Sequence, residues 1–458
     1  MTLLNVPDTF ADMTPSRTTS HTSMTTTAGR PRRAPLTRLL GAALALASAG
    51  PGVGQEAGPL PPSAVEDLGN PFFPGRTDRT YSRNVWDITA FDGRLWFGHG
   101  NSSNINVERN AGPVPLITYT PGSGFDDEGI ILEEQIDSFR VLDGQLVIPG
   151  HDPRGGTGQG SWYRLEGGEV VRRTNIPNVR TNHTYDLIER NGNLYAALGS
   201  ARPLAVSTDN GASFQSAIPN IGDQRFYHLF EAGDALYASG FVLGNLNGSF
   251  GKRILAELNE DSGQFELIDD VSGSIARLFP GYTPGRAFDS EQVRRSVGFQ
   301  GHTAYLGALG VNDHQSRPFG AYAVLGDFED SFDLLGGTSQ GIPFDLLAIG
   351  DEELLVLTGA QRAADDWRIE VLSTTDLESF RSVLSFDAAT FARSFELLDG
   401  DLYFGLGSFV DDVSPATGGV LRVDGSEFTL SVPEPATAAS LLMLGGWIAG
   451  RRGRRARD

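Results

Sequence analysis

Apolar and polar residues alternate along most of the chain between residues 84 and 430, and one short pattern recurs there. Each copy has an alternating strand, a turn that contains glycine, and a second strand of aromatic and aliphatic residues that ends in glycine. Asp-Gly and Asn-Gly pairs recur at these turns, where both residues need a positive φ, so each copy predicts a β-hairpin. The copies cover residues 85–100, 136–150, 185–199, 226–240, 295–310, 344–359 and 391–407.

A second, weaker hairpin pattern follows these copies, with examples at residues 162–174, 204–217, 254–268, 321–335, 369–384 and 420–430. Two hairpins give four strands in a period of about fifty residues, which is typical of one propeller blade. The sequence therefore predicts an all-β fold, a β-propeller of seven blades with four antiparallel strands each. This propeller spans residues 84–430 and follows a linker and lead-in over residues 50–83. An insertion near residues 271–294 explains the one long spacing, and residues 420–430 are expected to complete the last blade alone.

The segment 207–214 carries a motif of its own. Ser207, Asp209, Gly211 and Phe214 fit the pattern S/T-x-D-x-G-x-x-W/F. In such a turn the aspartate caps the backbone, the glycine takes the left-handed conformation, and the aromatic ring fills the blade. The motif resembles the Asp box of sialidase-like propellers. That resemblance implies a propeller and gives these residues a role in folding rather than in catalysis.

The first 49 residues have the order of a secretory signal peptide. Arg30, Arg32, Arg33 and Arg38 precede an apolar run at residues 39–46, and Ala47-Ser48-Ala49 fits a cleavage site with small residues. Residues 1–23 are polar and precede a second methionine, so Met24 is an alternative translation start. The sequence thus predicts an exported protein.

The last 27 residues combine three features in a fixed order. Val432, Pro433, Glu434 and Pro435 precede an apolar segment at residues 436–450, and five arginines follow within the basic tail, residues 451–458. Such a segment is long enough to enter a bilayer, and the arginines favour a cytoplasmic position for the tail. This order resembles the PEP-CTERM sorting signal of bacterial surface proteins. The resemblance implies an exosortase-type processing protease and the export machinery as partners, a C-terminal transmembrane helix, and a location in the cell envelope, at the outer surface or outside the cell. An ordinary tail anchor is the alternative.

Composition excludes several classes of function. The chain has 57 acidic against 36 basic residues, a net charge of −21, which disfavours binding to nucleic acid. It has no cysteine, which excludes disulfides, thiolate metal sites and cysteine nucleophiles. The pairs His151-Asp152 and Asp313-His314 lack the spacing of a known metal motif, so we predict neither a metal nor another cofactor.

A candidate binding surface follows from the hairpin geometry. If the first strand of each repeat is innermost, its start and the end of the second strand lie on one face around a central funnel. Arginine and histidine at these positions would create a local positive potential suited to an anionic sugar or a carboxylate. The alternative is a set of solvated polar loop residues. The predicted rim comprises Arg83, His99, His151, Asp152, Arg180, His183, Arg202, Arg225, His228 and Arg393.

Three classes of function remain open on the sequence. The favoured one is a non-enzymatic surface or extracellular-matrix module that binds exopolysaccharide or other surface proteins, with no catalytic residues. The second is a sialidase-like glycoside hydrolase or lyase, which requires three arginines and a Tyr–Glu pair. Tyr185 and Tyr227 are the nearest candidates for its tyrosine, and neither has an assignable glutamate partner. The third is a purely structural envelope protein.

Overall fold

The computed structural model describes residues 58–74, 79–103, 110–154, 160–174, 176, 183–200, 203–218, 224–242, 253–268, 277–283, 291–309, 317–326, 330–336, 341–409 and 413–431. The chain divides into two units, Met1–Ala49 and Gly50–Asp458, and the first lies wholly outside the described residues. The predicted signal peptide, sorting motif and transmembrane segment also lie outside them. Among the residues that are described, no helix has the length and apolar character needed to cross a membrane.

The described part of the chain is built from strands, with short 3-10 helices at Pro62–Ala64, Arg79–Ser82 and Gly425–Glu427. The strands are β1 (Val65–Gly69), β2 (Asn84–Phe91), β3 (Arg94–Gly100), β4 (Val114–Thr120), β5 (Gly124–Ile131), β6 (Arg140–Leu142), β7 (Gln145–Pro149), β8 (Trp162–Glu166), β9 (Glu169–Arg173), β10 (His183–Arg190), β11 (Asn193–Ser200), β12 (Leu204–Ser207), β13 (Gln215–Ser216), β14 (Gln224–Ala232), β15 (Ala235–Val242), β16 (Arg253–Asn259), β17 (Gln264–Leu267), β18 (Glu291–Phe299), β19 (His302–Leu309), β20 (Arg317–Leu325), β21 (Phe332–Asp333), β22 (Ile342–Ile349), β23 (Glu353–Ala363), β24 (Asp366–Thr374), β25 (Arg381–Ala388), β26 (Ala392–Leu398), β27 (Asp401–Leu406) and β28 (Val420–Val423).

The sheets confirm an all-β propeller but not the predicted number of separate blades. Within the described residues, five sheets have four strands each: β2–β5, β6–β9, β18–β21, β22–β25, and β26–β28 together with β1. The eight strands β10–β17 form one continuous sheet, because the end of β11 pairs with the start of β14 at Gly199–Arg225 and Ser200–Gln224. The prediction of seven separate four-stranded blades is therefore wrong. The merger lies where the hairpin repeats are most closely spaced, with turn glycines at Gly192 and Gly233.

The first strands of the repeats lie innermost, where β6, β10, β14, β18, β22 and β26 contact one another in chain order and β26 contacts β2. Strand β1 is the outer strand of the last blade, where Val65 pairs with Val423 and Glu66 with Arg422. Residues 420–430 therefore do not complete that blade alone. Part of the stretch that the sequence indicated as a lead-in belongs to the propeller.

A β-bulge recurs near the start of the inner strands. In β2 the pairing with β3 shifts between Val85 and Asp87, which leaves Trp86 without an opposite residue. The same shift occurs in β10 before Asp186, in β14 before His228 and in β22 before Asp345. A bulge re-aims the side chains next to it. Each of these four strands thus has an aromatic residue followed by a polar one at the bulge: Trp86-Asp87, Tyr185-Asp186, Tyr227-His228 and Phe344-Asp345.

The hydrophobic core is divided among clusters that lie largely between neighbouring sheets. One example joins the sheet β22–β25 to the last blade, where Phe344 stacks on Phe391 with ring centroids 4.4 Å apart. Burial of such aromatic surfaces supplies most of the driving force that holds blades side by side.

The segment 207–214 forms the turn between β12 and β13. The carboxylate of Asp209 accepts hydrogen bonds from the backbone N–H of Ser213 (2.8 Å) and from its hydroxyl (2.6 Å). Gly211 has a φ of +81°, and its N–H donates to the Ser207 hydroxyl at 2.8 Å. Phe214 is buried and packs edge-on against Trp162 of the preceding sheet. These contacts explain the local residue pattern, whereas membership in the Asp-box class stays a prediction.

Candidate functional site

A cavity of about 400 Å³ lies among the inner strands. Residues of β2, β6, β14, β18 and β22 line it, together with Arg393 of β26. The bulged positions of three strands contribute Asp87, His228 and Asp345 to this wall. The cavity wall is therefore charged, although the sheets behind it are apolar.

Opposite charges are paired across this wall. Arg295 places its guanidinium 2.8 Å from Asp87 and 2.7 Å from Asp345, so that one cation joins two carboxylates from other inner strands. Asp186 in turn lies 2.6 Å from Arg140 and 3.0 Å from His228. These ion pairs connect neighbouring repeats through side chains.

The same carboxylates also accept backbone hydrogen bonds from the next inner strand or the loop before it. Asp87 accepts from the N–H of Phe139 at 2.7 Å, and Asp186 accepts from the N–H of Leu229 at 2.8 Å. Asp345 accepts from the N–H of Phe395 at 3.2 Å. Because every carboxylate in this set holds two strands together, we assign these three aspartates to structure rather than to catalysis.

The pKa values of the aspartate carboxyl groups follow from these contacts. Burial opposes ionisation of Asp186, yet Arg140 and His228 together hold the pKa of this carboxyl well below its usual range. Burial raises the pKa of Asp345 to about 6, and the neighbouring Asp87 adds to this rise while Arg295 opposes it. Asp345 thus depends on Arg295 for its charge.

Three arginines, Arg83, Arg294 and Arg393, form what we call the arginine cluster beside the cavity. Two of them lie over the ring of Trp86, with Arg83 5.1 Å and Arg393 4.8 Å from its centre. Burial, together with repulsion from Arg294 and Arg83, lowers the pKa of Arg393 to about 9. The arginine cluster is therefore a focus of positive potential in a chain with a net charge of −21.

An aromatic stack adjoins the arginine cluster. The rings of Tyr185 and Tyr227 stack with centroids 4.1 Å apart, and His183 and Phe241 extend the stack at its two ends. The guanidinium of Arg225 donates to the hydroxyl of Tyr185 at 2.9 Å. Arg294 lies 5.6 Å from the centre of the Tyr227 ring, which connects the stack to the arginine cluster.

The predicted rim residues divide into groups in the structure. Arg83 and Arg393 belong to the arginine cluster, and His183 and Arg225 belong to the aromatic stack. His151 lies beside that stack, with its ring 5.1 Å from Tyr185. Asp152 is close to it as well, since its carboxylate lies 3.7 Å from His183. His228 lies deeper, in the cavity wall. Arg180 and Arg202 fall outside the described residues.

His99 does not fit a role at the rim. Its side chain is fully buried, stacks on Phe72 at 4.1 Å, and its Nε2 lies 2.7 Å from the carbonyl oxygen of Pro115. Burial lowers the pKa of His99 to about 4 despite that hydrogen bond, so this histidine is neutral at physiological pH. It is a core residue.

The contacts give no support to a sialidase-like Tyr–Glu pair. The hydroxyls of Tyr185 and Tyr227 both accept from Arg225. The hydroxyl of Tyr163 does lie 3.1 Å from Glu133, but both residues are buried among other side chains. In the described ranges, no group of three His, Asp or Glu side chains could hold a metal ion.

Sequence reasoning missed Trp86, Asp137, the aspartates of the cavity wall and the bridging role of Arg295. A signal for the wall was present, because an aromatic residue followed by a polar one recurs at the same place in otherwise apolar strands. The β-bulge re-aims the side chains of each pair, and the alternation of apolar and polar residues in the sequence does not reveal a bulge.

No protein-family model matches this chain. No curated protein matches it either. Among solved structures, it is similar to "YCF48 bound to D1 peptide", with 12% identity over 80% of this chain and 98% of that one, at a TM-score of 0.44. It is also similar to a polysaccharide lyase of family PL25, an ulvan lyase, with 12% identity, coverage of 78% and 94%, and a TM-score of 0.41. The GH74 xyloglucanase from Xanthomonas campestris matches at 12% identity, with coverage of 79% and 63% and a TM-score of 0.38. These neighbours include binding proteins and enzymes, and at these values they decide nothing about the ligand or activity of this chain.

Proposed function

We propose that this chain is an exported, envelope-sorted β-propeller that binds an anionic ligand, such as an acidic exopolysaccharide, at the arginine cluster. The observation that carries the proposal is a set of three mutually repelling guanidinium groups at the edge of the cavity, two of which lie over the ring of Trp86.

Repulsion among the arginines indicates what the ligand should be. Cations that depress one another's pKa are stabilised by an anion placed between them, and guanidinium groups bind carboxylates and sulfates through two parallel hydrogen bonds. Trp86 and Tyr227 add aromatic surface next to these donors, and a few polar groups in an aromatic setting are typical of ligand pockets. A sugar that carries a carboxylate fits both properties.

The binding proposal can be tested by titrating the purified full-length protein with an oligogalacturonate and with a neutral oligosaccharide of equal length. We expect the acidic sugar to bind and Arg294→Gln to weaken its binding about tenfold, corresponding to about 1.4 kcal/mol for one charge-assisted contact. Because an anion favours the charged form of Arg393, affinity should fall as the pH rises past about 9.

Arg190→Gln is the matched control for Arg294→Gln. The two arginine side chains are equally buried, with 15% and 16% of their surface exposed, but Arg190 lies at the opposite end of its inner strand and pairs with Glu231. The Arg190→Gln variant should therefore bind the acidic sugar as tightly as the unaltered protein. Equal binding of the neutral sugar, or full affinity in Arg294→Gln, would contradict the proposal.

Sorting to the envelope forms the second half of the proposal and depends on the motif at Val432, Pro433, Glu434 and Pro435. In the native host, we expect the double variant Pro433→Ala/Glu434→Ala to accumulate in the membrane fraction at the length of the unprocessed chain. Ser431→Ala, just before the motif, should be sorted like the unaltered protein. Normal processing of the double variant would refute an exosortase-type partner, whether or not the sugar binds.

A further inference from the structure

Ser102, Asp137 and His151 meet in loops that follow β3, precede β6 and follow β7. The hydroxyl oxygen of Ser102 lies 2.8 Å from Nε2 of His151. The Nδ1 atom of the same imidazole lies 2.8 Å from a carboxylate oxygen of Asp137. A serine, a histidine and an aspartate thus lie in sequence, each within 2.8 Å of the next.

The positions of the protons on these three residues follow from their contacts. Asp137 also accepts a hydrogen bond from the side-chain amide of Gln135 and lies 3.4 Å from Arg294, so its carboxylate stays ionised and acts only as an acceptor. Nδ1 of a neutral His151 must therefore carry the proton, which leaves Nε2 to accept the proton of Ser102. This is the tautomer that a general base requires.

All three side chains are largely, though not completely, buried. Ser102 is 8% exposed, and the side chains of His151 and Asp137 are 12% and 10% exposed. The ring of Tyr185 packs edge-on against the imidazole and limits its rotation. Burial to this degree excludes most water from the three side chains.

We propose that Ser102 is a nucleophile, that His151 is its general base and that Asp137 positions the imidazole, in a site that hydrolyses carboxylic esters. This activity goes beyond ligand binding and does not depend on it.

The chemistry balances through one acyl-enzyme. The oxygen of Ser102 forms a bond to the ester carbonyl carbon while its proton moves to Nε2 of His151. The bond from that carbon to the alkoxy oxygen breaks, and His151 returns the proton to the leaving alcohol. Water then attacks the acyl group, loses a proton to His151, and the carboxylic acid leaves as Ser102 regains that proton.

Stabilisation of the oxyanion sets the expected rate. The backbone N–H of Ser102 donates to Gln135 at 2.8 Å and that of Ser103 donates to Asn101 at 3.0 Å, so neither points to a substrate. We therefore expect slow turnover and choose activated probes.

The site should depend on pH in a definite direction. Burial lowers the pKa of His151, but Asp137 and Asp152 outweigh it and raise this pKa above its ordinary value, with Arg294 opposing them. Glu133, Glu134 and His183 also interact electrostatically with this imidazole, and Nδ1 of His183 lies 2.9 Å from the backbone carbonyl oxygen of His151. A protonated His151 cannot act as a base, so the rate should rise with pH through that raised pKa.

The experiment treats the full-length protein with a fluorophosphonate, which forms a bond from serine oxygen to phosphorus as fluoride leaves, and locates the label by mass spectrometry. We expect labelling at Ser102 and slow release of p-nitrophenol from p-nitrophenyl acetate. Ser102→Ala should abolish both. Ser103→Ala, the adjacent buried serine, should retain both. Asp137→Asn should slow both by about 100-fold or more and move the midpoint of the pH–rate profile downward.

Thermal unfolding of every variant separates a lost site from a lost fold. Absence of label from the folded wild-type protein, label on another residue, or label on Ser102 that survives unchanged in Asp137→Asn would overturn the proposal. None of these results affects the test with Arg294→Gln and the acidic sugar, because that test measures equilibrium binding and not covalent chemistry.

Discussion

Replacing Arg295 with methionine should lower the free energy of unfolding by about 3 kcal/mol at pH 8. Arg295 lies between Asp87 and Asp345, and its removal leaves two buried carboxylates facing each other without a cation. Removing one partner of a buried ion pair costs about 3–5 kcal/mol, and we take the lower value because a quarter of the Arg295 side chain is exposed to the cavity. Urea unfolding curves measure the change.

The effect of Arg295→Met should depend on pH. The pKa of Asp345 is already raised to about 6 in the folded protein, and loss of Arg295 raises this pKa further. A carboxyl whose folded pKa is raised binds more protons in the native state, so stability falls as the pH rises through that range. The variant should therefore be much closer to wild type at pH 5 than at pH 8.

Arg362→Met provides the comparison for Arg295→Met. Arg362 pairs with Asp366 and Asp387 on the outer part of a blade, where all three side chains are well exposed. Exposed pairs of this kind contribute little, so no measurable change is expected. An equal loss of stability in the two variants, or a loss at Arg295 that is the same at both pH values, would contradict the role assigned to the cavity wall.

Replacing Gly240 with alanine should destabilise the protein by about 3 kcal/mol, at the upper end of what overpacking costs. A Cβ at Gly240 would lie 2.7 Å from the Cα of Phe226 and closer still to the carbonyl oxygen of Arg225. Both are backbone atoms of β14, so no side-chain rotation can relieve the clash. The midpoint of urea unfolding reports the change.

Gly298→Ala is the matched substitution for Gly240→Ala. Gly298 also lies in a strand, and a Cβ there would meet no atom within 4 Å. It should therefore be neutral or slightly stabilising, because alanine reduces the freedom of the unfolded chain. If Gly240→Ala were as stable as Gly298→Ala, the close approach of β14 and β15 at this position would be refuted.

Gly240 also shows how far the sequence predicts the fold. The recurring glycine at the end of each repeat identified the hairpins, because turn and strand signals are local. The structure explains why glycine recurs at Gly150, Gly240 and Gly407, because a Cβ at each of these positions would clash with a neighbouring segment. The hairpins of each blade were therefore predictable from residues near in sequence.

Features that join distant residues could not be predicted in this way. The pairing of β11 with β14 depends on two residue pairs at a strand end, and that of β1 with β28 joins opposite ends of the propeller. Ser102 and His151 are separated by 49 positions and match no motif. Hairpin geometry predicted that Arg83 and Arg393 lie at the rim. Their contacts with Trp86 could not be predicted, because they depend on the β-bulge at that residue.

The pairing of β1 with β28 has a consequence for the order of assembly. Glu66 and Arg422 are 356 positions apart, so the strand that leaves the ribosome first finds its partner last. Until then the final blade has an open hydrogen-bonding edge, to which a second chain could add. Closing so long a loop costs entropy, and a chain cut short before β28 would lack the strand that fastens its own N-terminal segment.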